Sequence, residues 1–228
     1  MYEAPVDCMD GFIPLQFNEK EVEEMLRLAE ATYDEMKKRR TTRQFSDKAV
    51  PKRLLELAIK SASTAPSGAH LQPWTFAVIS NQELKQKIRV AAEEEELKTY
   101  QSRMPDAWAE LLEPLGTDHI KEHITTAPWL VILFKQNQRL RDNGEWGPTY
   151  YATESVGIAA GMFISAIHKM GLCTLTHTPS PMGFLRQILE RPEHESAMLL
   201  MPVGYPAEDA QIPDIQRKSL DDISIWFE

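Results

Sequence analysis

The chain has 228 residues and a net charge of −9, with 43% hydrophobic and 26% charged residues. Such a length suits one domain with arms, and such a composition argues against a disordered chain. An acidic surface repels phosphate backbones, which argues against a general nucleic-acid role.

Residues 1–17 contain Pro5, Gly11 and Pro14 and read as an irregular N-terminal arm. They lack the cationic-then-apolar pattern of a leader. Asn18, with Glu21 at the capping-box position, opens a helix carrying Val22, Met25, Leu26, Tyr33 and Met36 at helical spacing. That helix ends in a basic island, Lys37-Lys38-Arg39-Arg40-Thr41-Thr42-Arg43. Pro51 opens a second helix and the turn 65–69 closes it. A strand follows at 74–80, then a long helix from an Asn81 cap to about Tyr100 that includes the acidic run 93–96. Pro105, Pro114 and Gly116 break residues 101–126 into helical fragments. Residues 129–134 form a strand apolar on both faces, and 136–149 read as a polar loop.

A long helix is expected over 150–170, with Gly171 as its C′ residue. Strands at 172–178 and 197–203 flank a short helix at 182–189. Residues 207–228 lack a period and read as a C-terminal arm around a main domain of residues 18–206. The implied architecture is α+β, a mixed sheet surrounded by helices. Poor self-burial of the two arms suggests that they wrap a partner subunit. No apolar run reaches the roughly 20 residues that span a bilayer, so a soluble cytoplasmic protein without a membrane partner is expected. Cys8 and Cys173 are the only cysteines and form no metal or disulfide motif.

Three features could carry chemistry. Arg39, Arg40 and Arg43 can fork onto a phosphate, although a solvated helix end also accounts for them. The small-residue turn Ala65-Pro66-Ser67-Gly68-Ala69 can present backbone N–H groups to a flat ring or an anion; an ordinary helix-to-strand turn reads the same way. Glu96, Tyr100 and Lys121 offer a carboxylate, a phenol and an ammonium suited to a zwitterionic amino acid, or else a solvated charged face. Thr176-His177-Thr178-Pro179 closes a strand with polar side chains. His119 and His123 are read as exposed, since no H-E-x-x-H pattern accompanies them.

The spacing of Arg39-Arg40-Thr41-Thr42-Arg43, Pro66-Ser67-Gly68-Ala69-His70, Gln72-Pro73-Trp74 and Val203-Gly204-Tyr205-Pro206 resembles the FMN-dependent nitroreductase superfamily. Glu93–Glu96 with Tyr100, Ile120-Lys121-Glu122 and residues 212–218 resemble one branch, the iodotyrosine deiodinases. The resemblance implies a nitroreductase-like, arm-exchanged homodimer binding FMN. Arg39, Arg40 and Arg43, with Arg217, would hold the cofactor, and Thr41 and Thr42 lie in the same stretch. Pro66 and Ser67 belong to the turn that would face the flavin. Thr176, His177 and Thr178 would line its far edge, with Thr178 as the catalytic residue donating to flavin N5. The Ala69 N–H would bind the halophenolate oxygen, while Glu96, Tyr100 and Lys121 clamp the zwitterion of a halogenated tyrosine.

The activity implied is reductive dehalogenation of mono- and diiodotyrosine, extending to bromo- and chlorotyrosine. Electrons would come from an NAD(P)H-linked reductase or a ferredoxin- or flavodoxin-type donor. A general nitroreductase or quinone reductase, or a non-catalytic flavin- or halotyrosine-binding protein, stays open. Vertebrate members of the branch begin with a membrane anchor that is not seen here, which points to a soluble microbial form. His177 stands where a small hydroxyl residue is usual, and Ser180-Pro181-Met182 also departs from the pattern.

Overall fold

The structure, a computed structural model, describes residues 11–228. Cys8 and the first ten residues of the expected N-terminal arm lie outside it. The chain divides between Lys38 and Arg39 into two compact units. In the first, helix α1 (Val22–Met36) starts after Glu21 with no side-chain cap, so the cap expected at Asn18 is not used. None of its residues is buried, although Val22, Met25, Leu26 and Tyr33 give it an apolar face. The basic island follows the helix in non-helical backbone.

The second unit opens with α2 (Lys52–Ala62), entered through Pro51. A tight turn at Gly68–His70 leads into β1 (Trp74–Ile79). Helix α3 (Gln82–Lys98) is capped by Asn81, whose Oδ1 accepts the Leu84 N–H at 2.8 Å. A π turn over Thr99–Arg103 then widens the helix before α4 (Asp106–Leu112) and α5 (His123–Thr126). Strand β2 (Trp129–Gln136) is followed by a small hairpin, β3 (Gln138–Leu140) and β4 (Trp146–Pro148). That hairpin replaces the expected loop: its strands are three residues each and too polar to show a period. Helix α6 (Ala152–Lys169) ends at Gly171, where φ is +76°. Strand β5 (Cys173–Thr174), helix α7 (Gly183–Ile188), strand β6 (Glu195–Gly204) and a short α8 (Leu220–Ile223) complete the chain.

The main sheet has the order β1-β2-β6-β5, and every strand pair among the described residues is antiparallel. The parallel component of a mixed sheet is therefore not found among them; each neighbour runs back against the last. Strand β2 organises the layers. Val131 and Leu133 point to α2 and α6, packing with Leu55, Ala58, Val156, Phe163 and Ile167. Leu130, Ile132 and Phe134 point the other way, to α3, α5 and α7 through Ile88, Ile124 and Leu185. Alternation along one strand thus builds two helical layers on one sheet. At the end of β6, a Cβ on Gly204 would meet Pro128 Cδ at 2.6 Å, so only glycine fits there.

Strand β5 is much shorter than the expected 172–178. Its continuation touches the sheet again only at His177, which exchanges backbone hydrogen bonds with Leu200 at 2.8 and 2.9 Å. The backbone between and beyond is freed to line a cavity. The C-terminal segment is stitched to residues 39–44. Ala207 N–H donates to Gln44 O at 3.1 Å, Gln211 N–H to Gln44 Oε1 at 2.7 Å, and the Arg217 guanidinium to Arg39 O at 2.6 Å. Arg40 donates to the Pro213 carbonyl.

Candidate active site

Two cavities meet at Arg43, which lines both. The smaller, of about 220 Å³, is bounded by Arg39, Arg40, Thr41, Arg43 and Arg217, with Leu115, Pro213, Ile215 and Gln216. No carboxylate among the described residues lines it. Burial, followed by the neighbouring Arg217 and Arg40 cations, pulls the Arg39 guanidinium below its ordinary pKa. Guanidinium groups crowded this way favour an anion between them.

The larger cavity, of about 600 Å³, collects Arg43, Glu96, Tyr100, Lys121, Thr176, His177 and Thr178. Glu96 and Tyr100 come from the end of α3 and the π turn, Lys121 and His123 from the entry to α5, and the threonines from the freed backbone after β5. Met104, Trp108 and Leu112 add an apolar side. Lys121 is 4% exposed and lies 3.5 Å from Glu96 Oε2; its Nζ also donates to the Asp118 carbonyl and sits 5.8 Å from the Tyr100 ring centre. The Tyr100 hydroxyl donates to Thr117 O at 3.1 Å. The Lys121 N–H donates to Glu93 Oε1 at 2.7 Å, and Glu93 is held by Arg89 at 2.7 Å. An acidic run that reads as a solvated face thus sends two of its members inward.

Burial raises the Glu96 carboxyl, but the His177 bond and the Lys121 charge outweigh it and leave the group below its ordinary pKa. Burial lowers Lys121 against the pull of Glu96. Burial also raises the Tyr100 phenol. His177 lies 2.8 Å from Glu96 Oε1 through Nε2, and its Nδ1 is 3.5 Å from His123 Nε2. His123 is buried, at 7% exposure, which corrects the expectation of an exposed ring. Sequence spacing held no signal for this, because its partner is 54 residues away. Desolvation, then the His177, Lys121, Arg43 and Arg89 charges, depress His123 to about 3, and desolvation likewise lowers His177.

These buried imidazoles make folding pH-dependent. The unfolded chain takes up protons below about pH 6.5 that folded His123 refuses until about pH 3, so stability falls as pH drops through that window. From pH 7 to 5.5 the expected loss from His123 alone is about 1 kcal/mol. Urea midpoints measured across this range, with His123→Gln flattening the slope, check it; an unchanged slope in the variant would refute the assignment.

The remaining expected residues fall elsewhere. Thr42 is buried, its N–H on Thr174 O at 3.4 Å, and lines neither cavity. Nor do Pro66, Ser67 and Ala69. Their turn packs against the start of α6: Gly68 N–H donates to Ser155 Oγ at 3.3 Å, and Ser67 Oγ accepts the Gln72 N–H at 3.0 Å. Ala69, His70 and Gln72 all hold positive φ, at 49°, 55° and 48°. Three non-glycine residues in this region within four positions mark a turn whose shape is enforced by its surroundings.

The nitroreductase family model matches residues 36–205. Iodotyrosine deiodinase of Haliscomenobacter hydrossis is 51% identical over 208 residues, covering 91% of this chain and 94% of that protein. The chain belongs to the iodotyrosine deiodinases of the nitroreductase family. Iodotyrosine deiodinase 1 of Homo sapiens is 42% identical over 214 residues, spanning 93% of this chain and 74% of the relative. Among solved structures, an oxidised iodotyrosine deiodinase bound to FMN and 3-iodo-L-tyrosine superposes with a TM-score of 0.74 at 27% identity, over 86% of this chain and all of that one. A BluB-like flavoprotein of Clostridium difficile, at 18% identity and a TM-score of 0.66 over 86% of this chain and 98% of that one, shares the fold. No helix among the described residues of this deiodinase-family chain is long and apolar enough to cross a membrane.

Proposed function

We propose that this protein removes iodide reductively from mono- and diiodotyrosine, with bromo- and chlorotyrosine as further substrates, using FMN. The observation that carries this is the juxtaposition of a cluster of guanidinium groups with an ion pair between buried Lys121 and part-buried Glu96 across a shared Arg43. A buried lysine beside a part-buried carboxylate is matched in charge to an amino-acid zwitterion, which can insert between them. The solved relative holding FMN and 3-iodo-L-tyrosine supports the same assignment.

Arg39, Arg40, Arg43 and Arg217 would hold the FMN phosphate and ring edge; the carboxylate-free lining and the depressed Arg39 fit a phosphate. Bound and reduced, FMN would supply two electrons that, with a proton, replace the carbon–iodine bond by carbon–hydrogen and release iodide. Thr178 would donate a hydrogen bond at the flavin edge. Glu96 would take the substrate ammonium, and Lys121 and Tyr100 its carboxylate. Burial makes each of these contacts stronger than in water, and ordering of the π turn and α4 over the ligand would exclude solvent. The turn carrying Ser67 and Ala69 lines neither cavity, so a second copy of the chain would bring it to the flavin and the halophenolate. An arm-exchanged homodimer, with arms 1–17 and 207–228 around the domain 18–206, would also cover α1 and the exposed Ile223, Ile225, Trp226 and Phe227. The electron donor would be a nicotinamide-linked reductase or a small ferredoxin- or flavodoxin-type carrier.

Titrating the FMN-loaded, oxidised protein with 3-iodotyrosine tests this. Saturable quenching of flavin fluorescence, absent with 2-iodophenol, and iodide release under dithionite are expected. A flavoprotein that ignores 3-iodotyrosine would instead be a general nitroreductase, and one that binds it without releasing iodide a halotyrosine-binding protein.

A further inference from the structure

The Glu96 carboxylate has two neighbours, Lys121 on Oε2 at 3.5 Å and His177 on Oε1 at 2.8 Å. If a zwitterion enters between Glu96 and Lys121, the lysine turns to the incoming carboxylate and Glu96 loses that contact. A carboxylate swinging freely at this moment would forfeit the geometry that receives an ammonium. We infer that His177 is the positioning residue that holds Glu96 in place while Lys121 lets go, and that His123 fixes the His177 ring for this task. The inference rests on the halotyrosine reading above.

Proton bookkeeping permits one arrangement. A carboxylate only accepts, so His177 Nε2 must carry hydrogen. In a neutral ring Nδ1 then accepts, and the group facing it, His123 Nε2 at 3.5 Å, must donate. Everything that faces the pair favours neutral rings: Lys121 and Arg43 beside both, Arg89 near His123, with Glu96 the one opposing charge. The backbone of His177 is clamped independently by Leu200, so the ring hangs from a fixed point of the sheet. The chain of donors runs His123 to His177 to Glu96, leaving Oε2 for the substrate.

Two measurements test it. In the FMN-loaded, substrate-free protein, nitrogen NMR of labelled histidine should show His177 and His123 neutral with hydrogen on Nε2 between pH 6 and 8. Hydrogen on His177 Nδ1 would overturn the relay. Affinity for 3-iodotyrosine should then fall at least roughly tenfold in His177→Ala and recover to within about threefold of wild type in His177→Gln, whose amide can donate from nearly the same place. In a Glu96→Gln background, His177→Ala should shift affinity by less than about threefold, because the contact it serves is already altered. Unchanged affinity in His177→Ala, no recovery in His177→Gln, or full additivity in the double variant would each overturn the proposal. Wild-type protein that ignores 3-iodotyrosine would sink the halotyrosine reading; the ring protonation would still decide whether His177 holds Glu96.

Discussion

Glu96→Gln should lower kcat/KM for 3-iodotyrosine by a hundredfold or more and abolish its preference over 2-iodophenol. Among the described residues, Glu96 is the only carboxylate in the larger cavity's lining. Removing it leaves Lys121, at 4% exposure, without its ion-pair partner, with only the weaker influence of Asp118 remaining, and the arriving ammonium without a carboxylate. Breaking a fully buried pair on one side costs about 3–5 kcal/mol; with Glu96 part-buried the lower figure of about 2.7 kcal/mol, a hundredfold, is expected. The iodophenol comparison isolates the amino-acid group: it lacks the zwitterion, so its turnover reports only the flavin and the halogenated ring. Steady-state iodide release with both substrates gives the two ratios. Equal losses for the two would mean that Glu96 acts on the fold or the flavin rather than on the amino acid.

Arg43→Ala should loosen FMN by about a hundredfold, because each charge-assisted bond to a phosphate or ring oxygen contributes about 1.5–3 kcal/mol. Arg43 is singled out from the other guanidinium groups because it borders both cavities. Arg217→Ala should cost less, because the Arg217 guanidinium is partly engaged with the Arg39 carbonyl at 2.6 Å. Fluorescence of released FMN on serial dilution measures both. Full retention of FMN by Arg43→Ala would remove this residue from the cofactor site.

Much of the scaffold could be read from residue types whose local physics dominates. Asn81, Pro51 and Gly171 mark real helix ends because a side-chain cap, a fixed φ and a left-handed residue act within one turn. The apolar run of β2 declares a strand covered on both faces. What stayed hidden depended on distant partners. Strand β5 has apolar neighbours to support a longer strand, yet only Cys173 and Thr174 pair regularly, since the following backbone is turned toward the cavity. Glu96, Tyr100 and Lys121 line one cavity, which the family resemblance implied and spacing alone left open to a solvated charged face, whereas His123 looks exposed until its contact with the distant His177 is seen. The Ser67 turn could be recognised as a small-residue turn able to present backbone N–H groups; its positive-φ residues and its place against α6 rather than in either cavity could not.

Strand β2 also sets a hazard for the chain before it is folded. Residues 129–134, Trp-Leu-Val-Ile-Leu-Phe, are six consecutive apolar residues with high strand preference and no charge, the kind of segment that pairs with copies of itself. Its neighbours blunt that tendency: Pro128 cannot extend a ladder, and Lys135 ends the run with a charge. In the finished fold β1 and β6 occupy its two edges. β6 is the last of these strands to be synthesised, so one edge stays open until nearly the whole chain has left the ribosome. The six side chains that join the two layers therefore depend on late residues for their protection. Truncations that reach into β6 would do more than remove Arg217 from the proposed cofactor site: they would also open an aggregation-prone edge of β2.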